Sequence, residues 1–373
     1  MLELVLAAAL GAATPIVIRH DREDADYREL ARRFPSACDI GSGGVGVLVR
    51  PRWVLTAAHV ADAVNPFSAR VGFGGTHRDD PGIEARVDLV RKHPEWAQTE
   101  DGIENDIALL RLAEPVPGIE PVPLFQDEVE AGREVVLVGC GLTGDGHSGA
   151  SERDGAWRAA TNRIWKVEPD RLLFRFEKPG EGATDLEGFW APGDSGCPAY
   201  VETEQGWRLV AVSSYGFDPS EDRTPANYGE RDASFLASHY ADWIEETIRE
   251  VEAAGAAAGT FGAVAAVPGG RLPASALGEC AAAYLEALGA GDEERAAFEA
   301  VWSPSAPPWH SEELPVGIGP LVPIEMAEVG ERGLALRVTS PVIDEDLVLT
   351  LTLAPGRRGG LESVGLGLIR RPR

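Results

Sequence analysis

Three separated segments of this chain carry a serine, a histidine and a carboxylate suited to nucleophilic acyl transfer. The serine lies in Gly193-Asp194-Ser195-Gly196, which occurs once in the sequence. The histidine ends Trp53-Val54-Leu55-Thr56-Ala57-Ala58-His59, and the carboxylate stands in Asn105-Asp106-Ile107-Ala108-Leu109-Leu110. A serine hydroxyl is a weak nucleophile at neutral pH and needs a base beside it. Histidine suits that task because its pKa lies near the working pH. A buried Asp fixes the tautomer of the His and stabilises the imidazolium that forms. Gly193 and Gly196 permit a tight turn that exposes the Ser195 hydroxyl. In that turn the N–H groups of Gly193 and Ser195 can converge on a developing oxyanion. This chemistry needs no metal and no organic cofactor.

Each segment alone has an ordinary reading: a core histidine, a buried strand, a turn. Order and spacing argue otherwise, with His59 preceding Asp106 by 47 positions and Asp106 preceding Ser195 by 89. In motif, order and spacing the chain resembles the trypsin/chymotrypsin family of serine proteases, as a bacterial trypsin-like member. Val212-Ser213-Ser214-Tyr215-Gly216 resembles the strand that lines the family's substrate pocket and pairs with the peptide backbone. His239-Tyr240-Ala241-Asp242-Trp243-Ile244 resembles the helix that closes the fold, and Ile16-Val17 the mature family N-terminus. The resemblance covers residues 16–252. It implies an all-β fold of two six-stranded β-barrels with a C-terminal helix, the triad lying in the cleft between the barrels. It implies a serine endopeptidase with His59, Asp106 and Ser195 catalytic and Gly193 and Ser195 as the oxyanion hole. Phe189, Ser214, Tyr215 and Gly216 then bind the substrate, which is a protein or peptide. Two other readings use the same fold: a catalytically weak binding protein, and an esterase with the same triad.

The family's cysteine pattern is altered. Val60 stands where the family usually has Cys after the catalytic His, and its usual partner position falls on Gly44. Ala191 and Pro192 replace the Cys often found before the catalytic turn. Four cysteines remain: Cys38, Cys140, Cys197 and Cys280. The resemblance places the strands of Cys140 and Cys197 side by side, which leaves two options, a bridge between them or two buried thiols. The activation signal differs as well. Ile16 follows Pro15 rather than a basic residue, so Asp194 is expected to pair with an internal cation or with backbone N–H groups instead of a new amino terminus. Counting six back from Ser195 places Phe189 at the pocket floor. Shifted alignments would bring Glu187 or Asp185 there, and Asp232 could face the pocket from the opposite strand.

With 373 residues the chain exceeds one typical domain. It carries 60 acidic against 34 basic residues, a formal charge of −26. That field disfavours nucleic acid and anionic membranes, and no segment is long enough to span a bilayer as a helix. Residues 1–15 hold a short apolar run and small residues, resembling a secretory signal peptide despite Glu3 and the lack of Lys or Arg. A secreted or periplasmic protein is therefore expected. The sequence does not indicate an oligomeric state.

Between residues 40 and 215, short strands alternate with Gly/Pro/Asp turns, as in Gly46–Arg50, Ile107–Leu112, Val135–Val138, Leu172–Phe176 and Leu209–Ser213. Residues 233–252 read as helical. An Ala/Gly/Pro linker is expected over 253–275. Residues 276–373 then form a small α+β accessory module with a weak resemblance to NTF2-like domains. Ser275 reads as an N-cap for a helix carrying Leu277, Ala281, Leu285 and Leu288, and strand-like runs follow at 334–338, 347–353 and 366–370. His310 beside Glu312 and Glu313 lacks ligand spacing and reads as a solvated loop rather than a metal site.

Overall fold

Short apolar strands, broken where Gly, Pro and Asp favour turns, build much of the described chain. The computed structural model describes residues 16–258 except 42, 65–68, 100–101, 153 and 218–224. It also describes 265–266, 272, 281–282, 284–286, 321–329, 333–339, 345–353 and 361–370. Two compact units are present, with the main division between Ala257 and Ala258.

The first unit opens with β1 (Val17–Ile18) and helix α1 (Asp24–Ala31). Then come β2 (Ala37–Ile40), β3 (Gly44–Arg50), β4 (Trp53–Thr56) and the short helix α2 (Ala58–Asp62). Strands β5 (Arg70–His77) and β6 (Asp80–Lys92) form a long hairpin. A small hairpin of β7 (Ala97–Thr99) and β8 (Gly102–Glu104) precedes β9 (Ala108–Leu112). Pairing runs β6-β5-β2-β3-β4-β9, and β9 returns to β6 to close a six-stranded barrel. Strands β4 and β9 are buried at every position, as their near-continuous apolar sequences require.

The second barrel uses β10 (Glu134–Gly139), β13 (Arg158–Val167), β14 (Arg171–Arg175), β16 (Pro198–Thr203), β17 (Gly206–Phe217) and β18 (Arg231–Leu236). It closes in the order β10-β13-β14-β18-β17-β16. A side sheet joins β11 (Thr143–Asp145), β12 (Gly149–Glu152) and β15 (Gly188–Phe189) to β1, in the order β12-β11-β1-β15. Leu137, Phe174, Phe176, Phe189, Trp190 and Val210 belong to one buried cluster here. Helix α3 (Ala241–Ala258) ends the unit and buries Ile244, Ile248 and Val251.

The five sequence-expected strands over 40–215 coincide with β3, β9, β10, β14 and β17, except that Ile107 lies just before β9 and Phe176 just after β14. The expected helix over 233–252 needs correction at its start. Residues up to Leu236 belong to β18, which pairs with both β14 and β17. Barrel closure satisfies the backbone groups of Ala233–Leu236 and overrides their local helix preference. At its other end α3 runs on to Ala258, into the expected linker, because its alanines favour helix.

In the second unit, β20 (Val322–Val329), β21 (Gly333–Thr339), β22 (Glu345–Leu353) and β23 (Leu361–Arg370) form an antiparallel meander, with β19 (Ala265–Ala266) against β20. These strands contain the three runs expected from the sequence. Residues 281–282 and 284–286 are helical. The 1–15 segment, the rest of the helix expected from Ser275, Cys280, and His310 with Glu312 and Glu313 lie outside the described residues.

Candidate active site

Strand β4 ends at Thr56, whose hydroxyl donates to Val45 O at 2.7 Å and fixes the entry into α2. His59 is thereby carried on the first turn of a helix packed against the barrel end. Asp106 sits just before β9 and is fully buried. Its Oδ1 accepts the His59 backbone N–H at 2.9 Å, and its Oδ2 lies 2.7 Å from His59 Nδ1. The Ser214 hydroxyl, from β17, also donates to Asp106 Oδ2. With Nδ1 committed to Asp106, Nε2 is the nitrogen left to take a proton. Burial works to lower the His59 pKa, but the hydrogen bond and charge of Asp106 outweigh it. The net shift is upward from the ordinary 6.5.

Asn105, immediately before Asp106, has a positive φ of 50°. Its side chain donates to Glu95 O at 3.1 Å and accepts from the Tyr240 hydroxyl at 3.3 Å. A non-glycine residue in this region is strained and persists only where its surroundings hold it.

The Ser195 turn meets the first barrel at Gly44–Val45. The Ser195 carbonyl accepts the Val45 N–H at 2.9 Å. A methyl group on Gly44 would lie 2.4 Å from Val60 Cγ1 and 3.2 Å from Ser195 O. The helix carrying His59 and the turn carrying Ser195 are therefore neighbours across Gly44. Gly193 and Gly196 have φ of 95° and 82°, and a methyl on Gly196 would lie 2.1 Å from Val45 O. The turn is open only to glycine at that point. Asp194, Gly196 and Cys197 donate their N–H groups to backbone carbonyls. Among the described residues the Gly193 and Ser195 amides make no such bond, and the Ser195 hydroxyl has no hydrogen bond to His59. The His59–Asp106 contact is closed and the Ser195–His59 contact is open; hydrogen bonds of this kind commonly tighten only when substrate binds.

Asp194 is fully buried. It accepts the Gly141 N–H at 2.6 Å and the Ala191 N–H at 3.0 Å, so backbone donors satisfy it as one of the two sequence alternatives required. Cys140 and Cys197 are free buried thiols, not a bridge. Their sulfurs serve different partners: Cys197 Sγ lies 3.5 Å from Asp194 Oδ1, and Cys140 Sγ lies 3.9 Å from Asp39 Oδ1. Cys38 is also free.

Around the expected pocket, Ser214 and Tyr215 lie on β17, with the Tyr215 hydroxyl accepting from Arg171 Nη1 at 3.0 Å. Gly216 is exposed. Phe189 is 1% exposed, pairs with Val17, and stacks on Phe176 at 5.8 Å between ring centroids. Glu187 is buried, its carboxylate accepting from Thr184 and from the Glu177 N–H. Asp185 is exposed and pairs with Arg22. Asp232 lies opposite Gly216 in the β17–β18 register. Its oxygens accept from the Ser213 hydroxyl at 3.3 Å and the Ser234 hydroxyl at 2.7 Å. Burial pushes its carboxyl well above the ordinary range, against those two hydrogen bonds.

The roles of Ser214 on Asp106, of Tyr240 on Asn105 and of the Val45–Ser195 clamp were not read from the sequence. Each joins a residue of the first barrel to one from the second barrel or from the segment before α3, so no local pattern marks it. Among the described residues no cluster of side chains suits a metal ion, and no helix is long and apolar enough to cross a membrane.

A family model described as Trypsin matches residues 30–244. Mouse vitamin K-dependent protein C is 35% identical over 109 residues, covering 27% of this chain and 23% of that protein. Human granzyme M is 37% identical over 106 residues, covering 27% of this chain and 40% of granzyme M. Trypsin from Simulium vittatum is 28% identical over 200 residues, covering 49% of this chain and 74% of the trypsin. The alignment thus spans about a quarter of protein C and two-fifths of granzyme M.

Proposed function

Because the chain belongs to the trypsin family, we propose that it is a serine endopeptidase with Ser195 as nucleophile and His59 as base. The observation that supports this most is the fixed His59–Asp106–Ser214 network beside a glycine-flanked Ser195 turn. Ser195 Oγ attacks the scissile carbonyl carbon as its proton passes to His59 Nε2. Asp106 stabilises the imidazolium while remaining ionised itself. The Gly193 and Ser195 amides receive the oxyanion. The tetrahedral species collapses, and His59 returns the proton to the leaving amine. Water, deprotonated by the same histidine, then hydrolyses the acyl-enzyme.

Ser214, Tyr215 and Gly216 receive the substrate backbone along β17. The substrate is a protein or peptide, and the protein acts after export, secreted or periplasmic. Residues 276–373 form an accessory module outside the chemistry. Labelling with a fluorophosphonate, followed by peptide mapping, tests the assignment: the adduct is expected on Ser195. Intact protein that neither labels nor cleaves any member of a peptide library would refute it.

A further inference from the structure

Asp194 precedes Ser195, and its carboxylate ties the catalytic turn to the end of β10. One oxygen takes the Gly141 N–H and the Cys197 thiol, the other the Ala191 N–H. A methyl on Gly139 would lie 2.3 Å from Asp194 Oδ1, so the strand end packs directly on the carboxylate. Burial raises the Asp194 pKa to about 7 despite these donors. The hydrogen bonds oppose burial most strongly, and a nearby cation adds to them in favouring the charged form.

That cation is Arg78, in the turn between β5 and β6. Its backbone N–H donates to Gly155 O at 2.8 Å, and Trp157 donates back to Thr76 O at 3.3 Å. His77 Nε2 lies 2.5 Å from Asp154 O. This hairpin of the first barrel is thus pinned to a loop of the second. Between the barrels the guanidinium pairs with Asp39 at 2.6 Å and donates to Cys140 Sγ at 3.5 Å. Cys140 is flanked by Gly139 and Gly141, the two β10-end residues that pack on Asp194. The guanidinium attracts the Asp194 carboxylate through this short path.

We infer that Arg78 is a positioning residue for the Ser195 turn, acting past Cys140 to keep Asp194 ionised and the oxyanion amides in place. The other titratable groups facing Asp194 supply no positive charge. The Cys140 and Cys197 thiols are pushed up by burial and stay neutral. Asp39 shares the same guanidinium. Asp232 is repelled by Asp194. One cation thus serves two buried carboxyls, Asp39 and Asp194. A turn held this way is set by internal charge and needs no newly cut amino terminus. The inference rests on the reading of Ser195 as nucleophile for its catalytic consequence only.

The test is a double-mutant cycle on the full chain with R78M, D194N and R78M/D194N, read by melting temperature against pH. In the wild type, Asp194 binds its proton more tightly folded than unfolded. Its stabilising effect is complete below the ordinary 3.8 and is lost as pH rises to about 7. R78M should carry that loss upward by about one pH unit, and its effect should be smaller in the D194N background, where only Asp39 still answers to the guanidinium. Fluorophosphonate labelling of Ser195 by R78M should slow about fivefold at pH 7, as the ionised share of Asp194 falls, and recover as pH rises, with R78K partly restoring it. R78Q runs the same cycle if R78M does not fold. Equal pH dependence of R78M and wild type, or an equal effect of R78M with and without D194N, overturns the inference. Absence of labelling in the wild type would instead strike the protease reading, and the melting cycle would still decide the role of Arg78.

Discussion

Asp106 holds His59 at two points, and that double grip gives the residue scale its sharpest consequences. The imidazole proton is bound more tightly in the folded chain than in the unfolded one. The corresponding stability is present below pH 6.5 and is lost as pH rises through the raised folded value. In the proposed mechanism activity runs the opposite way, since His59 acts as base only when neutral. The acid limb of kcat/KM should therefore lie above pH 6.5. D106N should move that limb downward and lower the plateau by about four orders of magnitude; an unmoved limb would show that Asp106 does not tune His59. S195A should retain the fold and lose about a millionfold in turnover, measured with the best substrate from a peptide library. Near-normal hydrolysis by S195A would rule out the mechanism. These residues were legible in the sequence because each lies in a local motif that a strand end or a turn imposes. Arg78 and Asp39 were not, because their contacts cross between the barrels and leave no local pattern; Cys140 stood out in the sequence only as a bridge partner or buried thiol beside Cys197.

At the element scale, the packing of α2 on β3 explains how the fold dispenses with a disulfide. Val60 and Gly44 stand where the resemblance expects a cystine, and the valine methyl fills the space a Gly44 side chain would need. The double variant G44C/V60C should close a bridge under oxidising conditions and raise the melting temperature by about 6 °C, from ~3 kcal/mol of loop constraint. Oxidised and reduced forms melting together would show that the backbone does not bring the two positions into register. The strands themselves were largely legible from their apolar runs and turn residues. The start of α3 was not, because Ala233–Leu236 carries helix-compatible residues whose fate is set by the flanking strands of the barrel. The same β17–β18 ladder bears on specificity. Phe189 and its stacking partner Phe176 offer no countercharge, and burial pushes Asp232 toward the neutral acid against the hydrogen bonds of its two serine hydroxyls. Peptides differing only in Arg, Leu or Ala at the scissile position should show no strong preference for Arg. An Arg preference above tenfold that disappears in D232N would mean that a cationic side chain draws the proton off Asp232.

For the whole molecule, the question is how much of the chain the proposed chemistry requires. Every residue placed in or behind the candidate site, from Asp39 to Tyr240, lies in the first unit. Helix α3 belongs with them. Glu252 accepts a hydrogen bond from Trp53 Nε1 at 3.1 Å, Arg50 pairs with Glu245, and Ile244, Ile248 and Val251 are buried. Removing α3 would uncover apolar surface on the first barrel and leave Trp53 without its partner, a cost of several kcal/mol for three or more large side chains. Cutting after the helix removes none of these contacts. A chain ending at Ala257 should therefore fold and label at Ser195 at the full-length rate, whereas a chain ending at Tyr240 should be insoluble or unfolded. Circular dichroism and fluorophosphonate labelling of the two truncations check both halves. Should the chain ending at Ala257 fail as the shorter one does, the second unit is part of the folding core, and the division between Ala257 and Ala258 does not separate independent domains.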